Sequence, residues 1–283
     1  MKTRFDLKLE NDSTPSLFVA EKYRQVIGQD DHDESLVLIH YRGTTEEFNL
    51  GLQYCHSKDP LDRATGADIL GQLGWTDNVF LDDSVKVLIP MLKDSDSNVA
   101  SCAATALGHR SDPRAIPYLI DISKHEDPQV RNSVVFGLLG HDAPEAISVL
   151  VLLSSDSNSD VRNWAMFGLG SQIDIDTPEI KQALFSGLSD SDDETRGEAI
   201  LGLAVRGDCR IVDLILKEWE GQTISKLSLE AAEVSGDPRL YSCLVNFLEN
   251  IDLDEDPEFR EQLEQAITAC KLNIEEVQAR ELK

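Results

Sequence analysis

Basic residues are scarce in this sequence. Its 283 residues include 26 Lys and Arg against 52 Asp and Glu, a formal net charge of −26. Such a surface repels phosphate backbones and anionic headgroups, whose binding depends on Lys and Arg displacing counterions. Nucleic acid and membrane surface are therefore not expected as ligands. Long apolar runs are missing too. No stretch approaches the ~18 residues that a membrane span needs, and Met1-Lys-Thr-Arg-Phe-Asp6 leads into polar sequence, so no signal peptide is expected. Cysteines are few: Cys55, Cys102, Cys209, Cys243 and Cys270 are odd in number, widely spaced and without a C-x-x-C. That usage fits free thiols in a cytoplasmic protein better than a disulfide framework.

Signatures of chemistry are equally thin. His32, His40, His56, His109, His125 and His141 contain no i, i+4 zinc pair and no neighbouring cysteine pair, so no metal is expected. P-loop, G-x-S-x-G and dinucleotide fingerprints are absent. No catalytic residue is nominated, and no cofactor is expected. With no Gly/Ser linker or low-complexity tract, the chain is expected to be one elongated domain and a monomer.

What the chain does have is a repeat. Asp127-Pro-Gln-Val-Arg-Asn132 recurs 31 residues later as Asn158-Ser-Asp-Val-Arg-Asn163, and each copy leads into an apolar run ending in Gly. Asp96-Ser-Asn-Val-Ala100, Asp192-Asp-Glu-Thr-Arg196 and Asp59-Pro-Leu-Asp-Arg63 extend the series on both sides. A period of this length marks a solenoid of helical hairpins, each covered only by its neighbours. In residues 113–141, Ile116, Leu119, Ile120 and Ile122 give a first helix. Asp127 and Pro128 then open a second, with Val130, Val134, Gly137 and Leu138 as its apolar stripe. About eight such pairs are expected. Residues 1–44 form a divergent N-terminal capping hairpin, 45–270 the repeat array and 271–283 a charged C-terminal tail. The longest inter-repeat loop is expected from Trp75 to Phe80, and an acidic loop from Asn250 to Asp256.

The pattern Asp-x-x-Val-Arg-x-x-Ala-x-x-x-Leu-Gly, followed by Gly-Asp-Pro-Arg, resembles bacterial HEAT repeats of the phycobilin-lyase-like type. The segments Ala67-Asp-Ile-Leu-Gly-Gln72, Asp160-Val-Arg-Asn-Trp-Ala165, Arg196-Gly-Glu-Ala-Ile-Leu-Gly-Leu203 and Glu230-Ala-Ala-Glu-Val-Ser-Gly236 are similar to the YibA-type HEAT proteins linked to Rhs toxin elements. The resemblance implies an all-α, armadillo-like α-α superhelix, a HEAT-repeat α-solenoid. For function it implies protein binding, including an immunity-like protein that neutralises a basic toxin. The alternative it raises is a phycobilin-lyase-like enzyme or chromophore chaperone. A DNA-repair glycosylase on a HEAT scaffold would need a cationic concave face, which the charge disfavours. The first 45 residues depart from the pattern.

Asp59, Asp96, Asp127, Asn158 and Asp192 each precede position 63, 100, 131, 162 or 196 by four residues. Arg63, Arg131, Arg162 and Arg196 occupy four of those positions. A cap at this place accepts backbone N–H groups, so these residues are read as a structural ladder whose arginines pair with carboxylates at the turns. Second helices line the concave face in this fold class. One outward column there reads Asp68, Thr105, Phe136, Phe167, Leu201 and Glu230, and its neighbour Thr65, Cys102, Ser133, Trp164, Glu198 and Leu227. Large apolar residues sit mid-array with polar ones at the ends, which is the anatomy of a protein interface. The expected partner-binding set is Asn132, Phe136, Asn163, Trp164, Phe167, Glu198, Leu201 and Glu230. The partner is expected to be a basic protein.

Overall fold

The computed structural model describes residues 9, 12–27, 34–74, 79–220, 224–250 and 256–281; for 272–281 it describes the backbone alone. Much of the two expected long loops (75–78 and 251–255) and His32 lie outside these residues. Among the described residues there are sixteen α-helices and no strand. They follow one another as eight pairs. The first four are α1 (Ser16–Val26) with α2 (Ser35–Arg42), α3 (Thr45–Cys55) with α4 (Pro60–Gln72), α5 (Leu81–Met91) with α6 (Ser97–Arg110), and α7 (Ile116–Ile122) with α8 (Pro128–Leu138). The last four are α9 (Pro144–Leu153) with α10 (Ser159–Phe167), α11 (Pro178–Gly187) with α12 (Asp193–Val205), α13 (Ile211–Trp219) with α14 (Lys226–Ser235), and α15 (Tyr241–Asn250) with α16 (Pro257–Glu281).

Local chemistry starts these helices where the repeat places them. Asp127 accepts from Gln129 N at 2.9 Å, Asn158 from Val161 N at 3.1 Å and Asp192 from Thr195 N at 2.8 Å. Asp59 and Asp96 do the same for Leu61 N and Asn98 N, both at 3.0 Å. Each cap satisfies a donor that the first turn leaves unpaired, worth ~1 kcal/mol. At α3 the cap is reciprocal: Thr44 accepts from Glu46 N while Glu47 accepts from Thr44 N at 3.0 Å. Burial pushes the Glu47 carboxyl up, but hydrogen bonds from Ser16 and Thr44 outweigh it and hold the group below the usual range.

The chain divides into two compact units, Met1–Val149 and Leu150–Lys283, with the boundary inside α9. In the first, α2, α4, α6 and α8 pack side by side as a row of second helices. Ile69, Leu70, Leu88, Leu107, Leu119 and Leu138 are fully buried there. In the second unit α10, α12, α14 and α16 form the row, over Met166, Leu169, Ile180, Leu184 and Ile215. Glycine sets how closely the row is drawn together. A Cβ on Gly202 of α12 would meet Gly170 Cα at 2.6 Å, and one on Gly197 would meet the Leu227 side chain of α14 at 2.6 Å.

A buried arginine ties successive second helices at their C-terminal ends. Arg110, closing α6, donates to Leu70 O at 2.6 Å and Leu73 O at 2.8 Å, carbonyls at the end of α4. Arg206, after α12, donates to Leu169 O at 2.7 Å, Gly170 O at 3.1 Å and Ile173 O at 2.8 Å. Those carbonyls belong to or follow a π-helical turn, Gly168–Gln172, that extends α10. The last carbonyls of a helix lack partners and carry partial negative charge, so a guanidinium there answers both needs. Burial pulls Arg110 down to about 10, still protonated at neutral pH. His141 stands at the same register, ten residues past the ladder position, and its buried Nε2 has no hydrogen-bond partner.

Candidate functional site

The ladder arginines turn back onto the helix–helix loops. Arg131 donates to His125 O at 2.8 Å, Arg162 to Asp156 O at 3.0 Å and Arg196 to Asp190 O at 2.7 Å. Arg63 and Arg162 also reach the next repeat, making two-pronged pairs with Asp94 (2.7 and 2.8 Å) and Asp190 (2.7 Å twice). Those bonds hold Asp94 and Asp190 below the usual carboxylate range. Among the described residues, the ion pair of Arg196 is with Asp193 on its own helix.

In the second unit, Trp164 and Phe167 on α10 are half-buried and meet edge to face, with ring centroids 5.6 Å apart and planes at 89°. Asn163 of the same helix donates from Nδ2 to Glu194 Oε2 at 2.9 Å, while its Oδ1 is buried without a partner. Ser171 Oγ donates to Glu198 Oε2 at 3.1 Å. Burial, reinforced by the charges of Glu230 and Glu194, pushes the Glu198 carboxyl above its ordinary range. Glu230 is exposed on α14. None of these three glutamates has a cationic partner among the described residues. The aromatic pair and an acidic row across α12 and α14 thus share the second-helix face.

Leu201 is a correction: at 4% exposure it belongs to the core and not to the face. It lies one turn beyond Gly197, where α12 comes close to Leu227 of α14. Thr65 and Ser133 are likewise buried; Ser133 faces α6, with its Oγ 2.6 Å from Ser101 Oγ. In the first unit Asn132 and Phe136 are half-buried on α8, and Asn132 Oδ1, like its counterpart on Asn163, lacks a partner.

Several face residues escaped the sequence reading. Val205 and Val234, on α12 and α14, are 51% and 48% exposed. Glu194 was legible as the i, i+4 neighbour of Glu198. Asp68, placed in a solvent-facing column by periodicity, instead accepts a 2.7 Å hydrogen bond from Tyr23 Oη, 45 residues earlier, a distance at which no local signal exists.

All five cysteines are free. Among the described residues no group of three or more His, Cys, Asp or Glu is arranged to hold a metal, and no helix is long and apolar enough to cross a membrane.

A family model for HEAT repeats matches residues 51–139 and 119–204. Protein YibA of Escherichia coli strain K12 is 30% identical over 241 residues, 80% of this chain and 84% of that one, and YibA of Escherichia coli O157:H7 matches equally. The X-ray structure of YibA superposes with a TM-score of 0.66 at 24% identity, over 96% of this chain and 98% of that one. The complex of CpcE and CpcF of phycocyanin lyase from Nostoc sp. PCC7120 matches at a TM-score of 0.46 and 18% identity, over 92% of this chain and 97% of that chain. A likeness of that size carries no argument about activity.

Proposed function

Because this chain belongs to the HEAT-repeat family, we propose that it is a non-catalytic binding protein whose second-helix face, the concave face of such a solenoid, holds a basic protein. One observation carries the reading. Half-buried Trp164 and Phe167 share the second-helix face with Glu194, Glu198 and Glu230, three carboxylates without a cationic partner among the described residues. Aromatic rings supply large contact area at little entropic expense and attract cations over their faces. A lysine or arginine from a partner would also relieve the repulsion that burial and like charge impose on Glu198. The net charge of −26 acts in the same direction at long range, steering cationic partners. An immunity-like role against a basic toxin is one form of this function.

The test is calorimetric titration with the purified product of the neighbouring gene. Salt-sensitive binding that weakens in Trp164→Ala and Glu198→Lys is expected. Binding indifferent to both substitutions would reject the face. An absorbance shift on mixing the protein with a bilin would favour the chromophore alternative.

A further inference from the structure

In the first unit the second-helix face already carries an occupant, and it comes from the chain itself. Helix α1 packs mainly on its pair partner α2 and also touches α3 and α4. Its Tyr23 donates to Asp68 Oδ2 at 2.7 Å, and its Arg24 donates to both Asp62 and Asp59. Asp68 lies nine residues past its cap, the register that Phe136 and Phe167 hold past Asp127 and Asn158. Where α8 and α10 present a ring of their own, α4 presents an acid that accepts from a ring hydroxyl outside the repeat array.

The contacts that α1 makes with α3 and α4 include a set of polar bonds. Of the eleven residues of α1 only Ser16, Val19 and Ala20 are buried, while Leu17 and Phe18 are 51% and 59% exposed. Ser16 Oγ donates to Glu47 at 2.6 Å, and the Arg24 ion pairs are partly exposed, with Arg24 at 30%, Asp59 at 45% and Asp62 at 25%. A groove of about 760 Å³ lined by Leu17, Glu21, Arg24, Tyr54 and Asp62 opens alongside, so the helix does not fill its seat. Ion pairs so exposed are readily screened and exchanged. Cys102 of α6, half-buried, lies near Asp68, and burial together with the Asp68 charge pushes its thiol up.

We propose that α1 is a displaceable occupant of the binding face: a basic segment of the protein partner, bearing an arginine beside an aromatic residue, takes the places of Arg24 and Tyr23 on Asp59, Asp62 and Asp68. The inference rests on the reading of the partner as a basic protein, and adds the chemistry that the first repeat accepts. The chain's own helix supplies the pattern, a guanidinium shared by two aspartates and a phenol on a third. An occupant held in cis lowers apparent affinity for any competitor by the fraction of time it is docked, so loosening it tightens binding in trans.

The experiment needs no natural partner and so fails independently of the Trp164 face. The probe is a fluorescein-labelled peptide of residues 16–26, titrated into wild type and Tyr23→Phe/Arg24→Gln protein by anisotropy. At least fivefold tighter binding to the variant is expected, abolished by adding Asp62→Asn. In parallel, maleimide labelling of Cys102, mapped by mass spectrometry, is expected to accelerate about fivefold or more in the variant, in line with the same population argument. Buried Cys270 in the other unit serves as the control. Equal peptide affinity, or unchanged Cys102 labelling in a folded variant, overturns the proposal. Arg24→Gln alone keeps the Tyr23 hydrogen bond; should the double variant not fold, it gives the same readouts at smaller amplitude, and no change in it is likewise an overturning result.

Discussion

Arg162→Ala and Arg196→Ala delete the same residue from the same repeat position, yet they should differ sharply in effect. Arg162 makes two 2.7 Å bonds to Asp190, with side chains only 15% and 12% exposed, and a further 3.0 Å bond to Asp156 O. Its removal strands a half-buried carboxylate and an interhelical carbonyl, which should cost about 2–4 kcal/mol. Arg196 keeps one loop carbonyl and an ion pair to Asp193, which is 90% exposed. Its loss should cost about 0.5–1 kcal/mol. Urea unfolding followed by tryptophan fluorescence, with hydrogen exchange of peptides from α9 to α12, measures both. A double-mutant cycle of Arg162→Ala with Asp190→Ala should return a coupling of about 1–3 kcal/mol. Linkage adds a second signature. Asp190 is held below its usual pKa by Arg162, so the pair's contribution is present above the unfolded value near 3.8 and is lost as pH falls through the folded value. The gap between wild type and Arg162→Ala should therefore be flat from neutral pH to about 5 and close at lower pH. Equal losses in the two variants, or a coupling near zero, would refute the inter-repeat role of the arginine.

Leu138 is fully buried in the first unit, and Leu138→Ala should cost about 2–5 kcal/mol, with lost exchange protection concentrated in the neighbouring pairs; uniform loss along that unit would contradict nearest-neighbour stacking. Trp164→Ala or Phe167→Ala should weaken a cognate complex about tenfold or more through faster dissociation, and acrylamide should quench Trp164 more than Trp219, which is 5% exposed; a shielded Trp164 removes it from the face. Asp68 is raised from 3.8 to about 6 by burial, so it favours folding most below the unfolded value, and that contribution is lost as pH rises through 6. Asp68→Asn, whose carbonyl still accepts from Tyr23, should gain about 1–3 kcal/mol at pH 7 and nothing below about pH 4, by thermal melts across that range; a pH-independent difference would be inconsistent with a buried carboxylate.

Repetition and capping made the fold legible. Asp127, Asn158 and Asp192 announce helix starts with local chemistry, and a fixed period carries the same reading to neighbours that share it. The face was harder to read. Counting residues from the caps assigns Phe167 and Leu201 the same direction, but one is half-buried and the other fully in the core. Burial follows the approach of the adjacent helix, and close approaches such as that of Leu227 to Gly197 are made between repeats, where periodicity encodes nothing. Asp68 was misread for a related reason, since its partner lies in the divergent first pair. Arg110 and Arg206 are conspicuous only once the carbonyls they serve are known.

Those two arginines give the array a direction in time. The carbonyls of Leu70 and Leu73 wait for a residue 37 to 40 positions later, and those of Leu169, Gly170 and Ile173 for one 33 to 37 positions later. On a ribosome moving at about 5–20 residues per second, each such helix end stays unsealed for roughly 2–8 s after it is made. A nascent chain halted between residues 173 and 206 would carry an open end that its own earlier sequence does not close.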